Sequence, residues 1–314
     1  MNGIRVAIAG AGAMAREHAR AFASLPDAEL CGITSRTRAK AEALAGELAI
    51  GEVFDSVAAM SAATNPDLIV VAVPPLVMRE VAEQCFLSGA MVMLEKPPGY
   101  DLADAEAIAA SAREQKRRVH VALNRRSYSS TRAAAERLDM LPGARFITVH
   151  DQQDLDVARR IGHPPKIVEN WMFGNSIHLV DYLRVFGRGR ITAVETVSRW
   201  NPADPGPVVA AVRFASGDAG LYVGIWNAPG PWAVTVTTAD ERWELRPLER
   251  AVFQRRGERE LHQVDVDAAD VEYKAGFRHQ AALAVRAAKG EQTELPTLDD
   301  AIETMRLISE IYSL

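Results

Sequence analysis

Residues 4–15 read IRVAIAGAGAMA, an apolar run that ends at two closely spaced glycines. The run itself is a strand candidate, and an alanine-rich segment with apolar residues near helical spacing follows it. In such a strand–turn–helix unit, Gly10 permits a tight turn, and Gly12 lets the backbone approach a pyrophosphate at the helix N-terminus. Ala15 occupies a third position that needs only a small side chain for packing. The stretch predicts a dinucleotide site, including Ala13 and Met14, with a ligand-free glycine turn as the alternative.

The rest of the first half alternates short apolar runs with longer helical patterns. The further strand candidates are continuous in apolar residues, which is typical of strands buried on both faces. They lie at residues 29–34, 67–73, 91–95 and 118–123. Alanine-rich segments with apolar residues near helical spacing separate them. This alternation predicts a doubly wound α/β domain with a parallel sheet, a Rossmann fold, over residues 1–123.

The pattern changes after residue 124. A helical stretch at 130–140 and an irregular segment at 154–175 precede several β-rich runs, which are separated by Pro, Gly, Asn and Asp. Helical patterns near 277–289 and 297–313 close the chain. We expect residues 124–314 to form an α+β domain with a mainly antiparallel open sheet, whose C-terminal helices are free to pack back on the first domain.

Composition limits the classes of partner. A formal net charge of −5 over 314 residues gives no electrostatic reason to expect a nucleic acid or an anionic membrane. No apolar run approaches the roughly 18 residues of a membrane-spanning helix, and the N-terminal run fits a strand better than a signal peptide. Both cysteines, Cys31 and Cys85, lie in apolar segments. We expect a cytoplasmic protein with a small-molecule substrate.

The histidines show no metal-site spacing. His18, His163 and His279 are far apart in the chain and do not repeat at the intervals that zinc ligands favour. We therefore assign no metal ligand.

The end of the second strand bears on the choice of cofactor. A cofactor with a free ribose 2′-hydroxyl usually meets an Asp or Glu about 20 residues after the glycines. Here the sequence reads Thr34-Ser35-Arg36-Thr37-Arg38, without an acid. Ser35 and Arg36 suit a 2′-phosphate, so the sequence favours NADP(H) over NAD(H), which stays possible. The alternative is a solvated loop with ordinary surface arginines.

Several motifs together resemble one known family. They are GAGAMA at 10–15, VAVPP at 71–75, EKPPGYDLADAE at 95–106, NRR at 124–126 and NSIHLVD at 175–181. In this order they resemble the glucose–fructose oxidoreductase, inositol dehydrogenase and rhizopine catabolism family, and the resemblance covers the whole chain. It implies an NAD(P)-dependent oxidoreductase acting on a sugar, polyol or related small hydroxy or keto compound. It also implies a homodimer or homotetramer joined through the C-terminal sheet.

The resemblance assigns roles to individual residues. It places the nicotinamide near Val73, Pro74, Pro75 and Lys96, and the substrate between the domains. Lys96 would exchange a proton with the substrate, after a cis bond to Pro97, and Glu95 would pair with the cofactor or a neighbouring backbone group. His178 would orient the substrate hydroxyl from the second domain.

Further substrate contacts are expected from the second domain. The candidates beside His178 are Asn124, Arg125, Trp171, Asn175 and Asp181. One of Arg125 and Arg126 is expected to pair with an acid across the domain boundary. Trp171 and Tyr273 suit stacking on a sugar face or ordinary packing, and Asp181 suits hydrogen bonding to His178 or helix capping.

The sequence also departs from the family pattern. Gly174 stands where many members carry an Asp, Ser176 where a glycine is usual, and Met78 where a histidine is usual. Loss of the Asp supports one rival hypothesis, a cofactor-binding sensor without turnover. A second rival is a redox-recycling epimerase or eliminase on the same fold. Retention of Lys96 and His178 favours the dehydrogenase.

Overall fold

The computed structural model describes residues 3–314, which form two compact units. The first contains the chain up to residue 124 together with residues 269–302, and the second contains residues 125–268 and 303–314. The segment from 124 to 314 is therefore divided between the two units. Within the described chain, no helix combines the length and the apolar composition needed to cross a membrane.

The first unit is built on a six-stranded sheet in which all pairs are parallel. Its strands are β1 (Ile4–Ala9), β2 (Ala28–Thr34), β3 (Val53–Phe54), β4 (Leu68–Val71), β5 (Met91–Leu94) and β6 (Val119–Val121). Their spatial order is β3-β2-β1-β4-β5-β6. The strand order reverses between β1 and β4, and ligands of doubly wound sheets bind in the crevice at this point.

Helices separate these strands along the chain. They are α1 (Ala13–Ala23), α2 (Arg38–Leu48), α3 (Val57–Thr64), α4 (Met78–Phe86) and α5 (Leu102–Glu114). The core strands β1, β4 and β5 are almost wholly buried, as their continuous apolar sequences predict. The predicted Rossmann fold of the first half is confirmed. The short β3 and α3 were not predicted.

The second unit carries an eight-stranded sheet. After α6 (Ser129–Asp139) come β7 (Phe146–Gln153), α7 (Leu155–Arg160), α8 (Pro165–Glu169), a π-helix at Met172–Ser176, and α9 (Ile177–Phe186). The other strands are β8 (Ile191–Ser198), β9 (Val208–Phe214), β10 (Ala219–Trp226), β11 (Ala233–Thr237), β12 (Glu241–Leu245), β13 (Ala251–Arg255) and β14 (His262–Gln263). The chain ends with α10 (Ala268–Glu272), α11 (Phe277–Ala288) and α12 (Leu298–Tyr312).

The order of this sheet is β14-β13-β12-β11-β7-β10-β9-β8. The β7–β10 pair is parallel and the other pairs are antiparallel, so the prediction of a mainly antiparallel sheet is confirmed. The prediction of irregular chain at 154–175 is wrong, because α7, α8 and part of the π-helix lie there. Asp154 caps the first of these helices, since its side chain accepts a hydrogen bond from Val157 N at the start of α7.

Helix α11 packs in the first unit, although it follows the whole second sheet in sequence. Phe277 lies in the same hydrophobic core as Phe22 of α1, and its ring centroid is 4.7 Å from that of His18. Lys289 Nζ donates to Asp27 at 2.5 Å. The C-terminal segment thus closes the core beside the dinucleotide motif.

A buried aspartate joins three segments of the second unit. Asp218 accepts hydrogen bonds from the backbone N–H of Arg145, before β7, and from the backbone and guanidinium of Arg188, after α9. Burial alone would raise the pKa of Asp218, but the hydrogen bonds from Arg188 and Arg145 outweigh it and lower the pKa to about 2. The ionised carboxylate is therefore the form that stabilises this junction.

We predict that Asp218→Asn lowers the free energy of unfolding at neutral pH by roughly 1–3 kcal/mol, because buried donors lose a charged acceptor. The pKa of Asp218 is lower in the folded protein than its ordinary value of 3.8. The stabilisation is thus present above about pH 4 and is lost as the pH falls towards 2. Urea unfolding at several pH values should show the wild-type advantage shrinking below pH 4, and a pH-independent difference would contradict this account.

Candidate functional site

The turn after β1 depends on two glycines with different surroundings. Gly10 has φ = +120°, and a Cβ there would lie 2.2 Å from the carbonyl oxygen of Ala72. At Gly12, by contrast, a Cβ would meet nothing within 4 Å. Gly12 is the N-cap residue of α1, and no side chain caps this helix. The first N–H groups of α1, at Ala13 and Met14, therefore have no side-chain cap, which suits an anionic group.

A cleft of about 490 Å³ opens along this edge of the sheet. Gly10, Gly12, Ser35, Arg36, Val73 and Pro74 line it, and all six are predicted cofactor residues. Pro75 begins a short 3-10 helix directly after Pro74. The cleft connects the uncapped helix end with the loop after β2, as a bound dinucleotide requires. The residues present thus fit a nicotinamide dinucleotide.

The loop after β2 presents cations to this cleft. Arg36 and Lys40 are exposed and line it, and Ser35 Oγ accepts a hydrogen bond from Thr37 N at 3.3 Å. A carboxylate also lies there: Asp55, contributed by the segment after β3, which the sequence did not reveal. Arg38 donates to Asp55 at 2.5 Å and to Glu42 at 2.8 Å. The charge of Asp55 is therefore compensated within the chain.

The Glu-Lys-Pro element follows β5, and its glutamate is held inside the first unit. Glu95 is 6% exposed, and its Oε1 lies 2.7 Å from His18 Nε2. Its Oε2 accepts a hydrogen bond from Lys96 N at 3.1 Å. The bond between Lys96 and Pro97 is cis. Glu95 therefore fixes the backbone at Lys96 instead of facing an open cleft.

His18 was not recognised as a site residue from the sequence. It lies on the buried face of α1 with Ala15, Ala19 and Phe22 and is 1% exposed. A histidine on a fully buried helix face needs a polar partner, and that signal was available in the sequence. Within residues 3–314, no hydrogen-bond partner reaches its Nδ1.

The two arginines after β6 have different roles. Arg126 donates to both oxygens of Asp181, each at 2.7 Å, and Thr304 Oγ1 donates to the same carboxylate at 2.8 Å. Asp181 is 3% exposed, so the expectation that it contacts a substrate is not supported. The expected structural ion pair is formed by Arg126, but within the second unit and not across the boundary.

Of the two arginines, Arg125 is the one that stays a candidate for contact with a substrate. Its guanidinium carbon lies 4.4 Å from the ring centroid of Trp232, a cation–π contact. No hydrogen-bond partner within residues 3–314 reaches its buried Nη1. Asn124, just before it, is buried in the first unit, where its Nδ2 donates to Ala275 O at 3.1 Å. The Asn124 amide is thereby committed to the backbone.

Two other predicted substrate residues, Trp171 and Asn175, converge on one buried side chain, Gln153 at the end of β7. Trp171 Nε1 donates to Gln153 Oε1 at 2.9 Å, and Asn175 Nδ2 donates to the same oxygen at 2.8 Å. Trp171 and Asn175 are partly exposed, whereas Gln153 is 1% exposed. His178 lies in the first turn of α9 and is 7% exposed. Trp171 directly precedes the π-helix, Asn175 lies in it, and His178 lies in the first turn of α9.

Behind Gln153 lies a fully buried acid, Asp151, which sequence analysis missed. Gln153 Nε2 donates to its Oδ1 at 2.5 Å, and Tyr222 Oη donates to its Oδ2 at 2.7 Å. Burial raises the pKa of Asp151, while the hydrogen bonds and the nearby Arg125 oppose the rise. Asp151 continues the alternation of Ile147 and Val149 on the buried face of β7, so a carboxylate at an apolar position was the available signal.

Comparisons with known proteins agree with this geometry. Residues 4–123 match the GFO_IDH_MocA family, described as an oxidoreductase family with an NAD-binding Rossmann fold. The matching segment coincides with the strands and helices that surround the glycine turn and end at β6.

Two curated relatives match part of the chain. D-glucoside 3-dehydrogenase of Escherichia coli is 33% identical over 112 residues, which are 35% of this chain and 32% of the relative. Inositol 2-dehydrogenase of Rhizobium meliloti is 29% identical over 123 residues, 39% of this chain and 37% of the relative. The chain thus matches about a third of the length of these relatives.

The fold likeness extends over the whole chain. A dehydrogenase from Chromobacterium violaceum superposes with a TM-score of 0.84 at 20% identity, covering 100% of this chain and 95% of that structure. Both units therefore share the fold of a solved dehydrogenase.

The two glycines of the turn supply a matched pair of variants. We predict that Gly12→Ala lowers the unfolding free energy by no more than about 1 kcal/mol, because its Cβ enters open space and only the N-cap preference for glycine over alanine is lost. The same methyl should weaken NADPH binding at least about tenfold, since it lies where the pyrophosphate approaches. Gly10→Ala should destabilise the fold by roughly 1–3 kcal/mol or more. Fluorescence titration and urea unfolding measure both, and wild-type NADPH affinity in Gly12→Ala would exclude the pyrophosphate from this turn.

Proposed function

We propose that this chain is an NAD(P)-dependent dehydrogenase or reductase acting on CH–OH groups, because residues 4–123 match the oxidoreductase family with an NAD-binding Rossmann fold. The observation that carries the proposal is the open, uncapped glycine turn at the strand-order reversal, with Lys96 leaving the same sheet edge. β4 and β5 are paired in parallel, with Val71 opposite Leu94, so Pro74 and Lys96 follow neighbouring strand ends. The residues predicted to bind the cofactor and the predicted proton carrier, Lys96, therefore lie at the same edge of the parallel sheet.

The cofactor, when bound, accepts or donates a hydride at its nicotinamide ring. The chain must then handle the proton of the reacting hydroxyl, and Lys96 is the residue we assign to it. In oxidation, the neutral Lys96 Nζ takes the hydroxyl proton as hydride leaves carbon, and in reduction the ammonium returns it. Glu95 holds the Lys96 backbone, and His18 holds Glu95. We also propose that His178 contributes to orienting a substrate hydroxyl.

We propose a sugar, polyol or related hydroxy or keto compound as substrate. The names of the two curated relatives, a glucoside and an inositol dehydrogenase, support this class. The polar and aromatic side chains of Trp171, Asn175 and Arg125 also suit a hydroxyl-rich molecule.

The cofactor preference we propose is NADP(H), with NAD(H) as the second choice. Arg36 and Lys40 bring two cations to the cleft, while the nearby Asp55 is paired with Arg38. A 2′-phosphate benefits from both cations, whereas a free 2′-hydroxyl would need an acceptor that Arg38 already engages.

We also propose that the protein is cytoplasmic and forms a homodimer or homotetramer through the sheet of the second unit. Cys31 and Cys85 are buried free thiols, which suits a reducing compartment. On the central strand β10, Leu221, Val223 and Ile225 are partly exposed on the face opposite Tyr222. An apolar sheet face of this kind suits an interface, and a monomeric mass in analytical ultracentrifugation would oppose it.

The rival functions are separated by one assay. NADP⁺ or NADPH is incubated with myo-inositol, D-glucose, methyl D-glucosides and their keto derivatives while absorbance of the reduced cofactor is followed. Steady turnover supports the dehydrogenase. Product without net cofactor change supports the redox-recycling epimerase or eliminase, and cofactor binding without product supports the sensor.

We predict that Arg36→Ala weakens NADPH binding roughly tenfold to a hundredfold, because a charge-assisted hydrogen bond to the 2′-phosphate is lost. NADH binding should change little. Arg16→Ala, at an exposed arginine paired with Glu47, serves as the control for loss of positive charge. An equal loss for NADPH and NADH would contradict the preference.

We predict that Lys96→Ala reduces kcat about 10²–10⁴-fold, the usual range for general acid–base help, and leaves NADPH affinity nearly unchanged. The assay is steady-state turnover with the best substrate of the panel, alongside fluorescence titration of NADPH. Turnover at the wild-type rate would remove Lys96 from the mechanism.

A further inference from the structure

The hydrogen bonds around Gln153 have only one consistent polarity. The indole nitrogen of Trp171 is a donor without acceptor capacity, so the Gln153 atom facing it must be the carbonyl oxygen Oε1. The other terminal atom of Gln153 is then the NH₂ group, and it points at Oδ1 of Asp151. Two chemically fixed ends, an indole N–H and a carboxyl oxygen, therefore determine the orientation of the amide between them.

The same reasoning determines the orientation of the Asn175 amide. Its atom facing Gln153 Oε1 must be a donor, which is Nδ2, at 2.8 Å. The carbonyl oxygen Oδ1 of Asn175 consequently faces away from Gln153. Because Asn175 is partly exposed, this oxygen is an oriented acceptor on the accessible side of a buried network.

The position of Asp151 is itself set by the neighbouring strand. In the parallel pairing of β7 with β10, Asp151 lies opposite Gly224. A Cβ at Gly224 would come within 3.1 Å of Tyr222 Oη and 3.2 Å of Tyr312 Oη. The absence of a side chain there leaves room for these hydroxyls, which lie 2.7 Å apart, and Tyr222 reaches Asp151. The carboxyl group is thereby held in the orientation that receives Gln153.

We infer that Asp151 and Gln153 act as positioning residues that turn the Asn175 amide so that its Oδ1 accepts a hydrogen bond from a substrate hydroxyl. The inference rests on the proposed function and deepens it, since it assigns a hydroxyl-recognising acceptor to the second unit. A site with such an acceptor favours a hydroxylated substrate and disfavours an analogue in which that hydroxyl is absent.

A donor–acceptor swap tests the polarity. Gln153→Glu replaces the NH₂ group by an oxygen and places this oxygen against Asp151. The hydrogen bond from residue 153 to Asp151 is then lost. In the double variant Asp151→Asn with Gln153→Glu, the new asparagine donates to the new glutamate and accepts from Tyr222. The double variant therefore keeps every donor–acceptor pair with its direction reversed between residues 151 and 153. Asp151→Asn alone should act mildly, because an asparagine oxygen still accepts from Gln153.

The kinetic readout is the separation of KM from kcat. Gln153→Glu should raise the KM for the best polyol of the panel roughly tenfold, with kcat and NADPH affinity within about twofold. The double variant should recover most of this loss, and the matched control Gln263→Glu, on an exposed strand end, should leave KM unchanged. An unchanged KM in Gln153→Glu, or a double variant worse than Gln153→Glu, overturns the inference.

A second readout does not depend on turnover. The indole ¹⁵N–¹H resonance of Trp171, assigned with Trp171→Phe, should move in Gln153→Glu and return in the double variant. Myo-inositol or methyl glucoside added to the NADPH complex should shift it in the wild type. If no compound turns over but these shifts occur, the dehydrogenase proposal fails and the positioning role stands. An indole resonance that neither Gln153→Glu nor any polyol moves overturns the positioning role.

If Gln153→Glu does not fold, a variant of the partly exposed Asn175 tests the inference instead. Asn175→Ala removes the acceptor itself and leaves Asp151 and Gln153 in place. It should raise KM to a similar extent, and an unchanged KM there also overturns the inference.

Discussion

The close approach of two strand ends, at Gly10 and Ala72, is the constraint on which the first unit depends. The 2.2 Å separation that a Cβ would have from the Ala72 carbonyl means that only a glycine lets β1 end beside β4 in this way. That contact directs α1 so that its uncapped N-terminus opens onto the cleft. Because β5 pairs with β4, the same arrangement fixes where Lys96 leaves the sheet.

Each unit stabilises its functional segment with a buried carboxyl group. Glu95 is bonded to His18 and holds the backbone of Lys96, while Asp151 is bonded to Tyr222 and holds Gln153. A buried carboxyl group without partners would be strongly unfavourable, so these hydrogen bonds are conditions for the fold as well as for the site. Glu95 directly follows β5, and Asp151 lies near the end of β7. The proposed ligand contacts, Trp171 and Asn175, can thus be held in place although they are partly exposed.

The sequence predicted the parts of the molecule that local pattern determines. Continuous apolar strands and the glycine turn were sufficient for the Rossmann fold, and Pro-, Gly- and Asn-bounded β runs indicated the second sheet. Strand β7 was missed because His150, Asp151 and the two glutamines after it replace apolar residues over half its length. Polar residues at buried positions hide a strand from pattern analysis, and these residues form the Gln153 network.

The sequence also did not predict which residues far apart in the chain contact each other. Nothing local to Glu95 indicates His18, 77 residues earlier, and nothing near Arg126 indicates Asp181 rather than another acid. Asp55 reaches the cleft only because β3 lies beside β2 in the sheet. In each case the residue types were visible in the sequence, but the partner was decided by the topology.

The central claim is that hydride passes between a substrate carbon and the nicotinamide while Lys96 carries the proton. Deuterium transfer tests it most directly: myo-inositol and glucosides deuterated at carbon are incubated with NADP⁺ and the protein, and the reduced cofactor is analysed by mass spectrometry. The account predicts one deuterium on the nicotinamide ring of each reduced cofactor molecule, formed in step with keto product. Keto product accompanied by reduced cofactor that lacks deuterium, or no reduced cofactor with any substrate of the class, would contradict it.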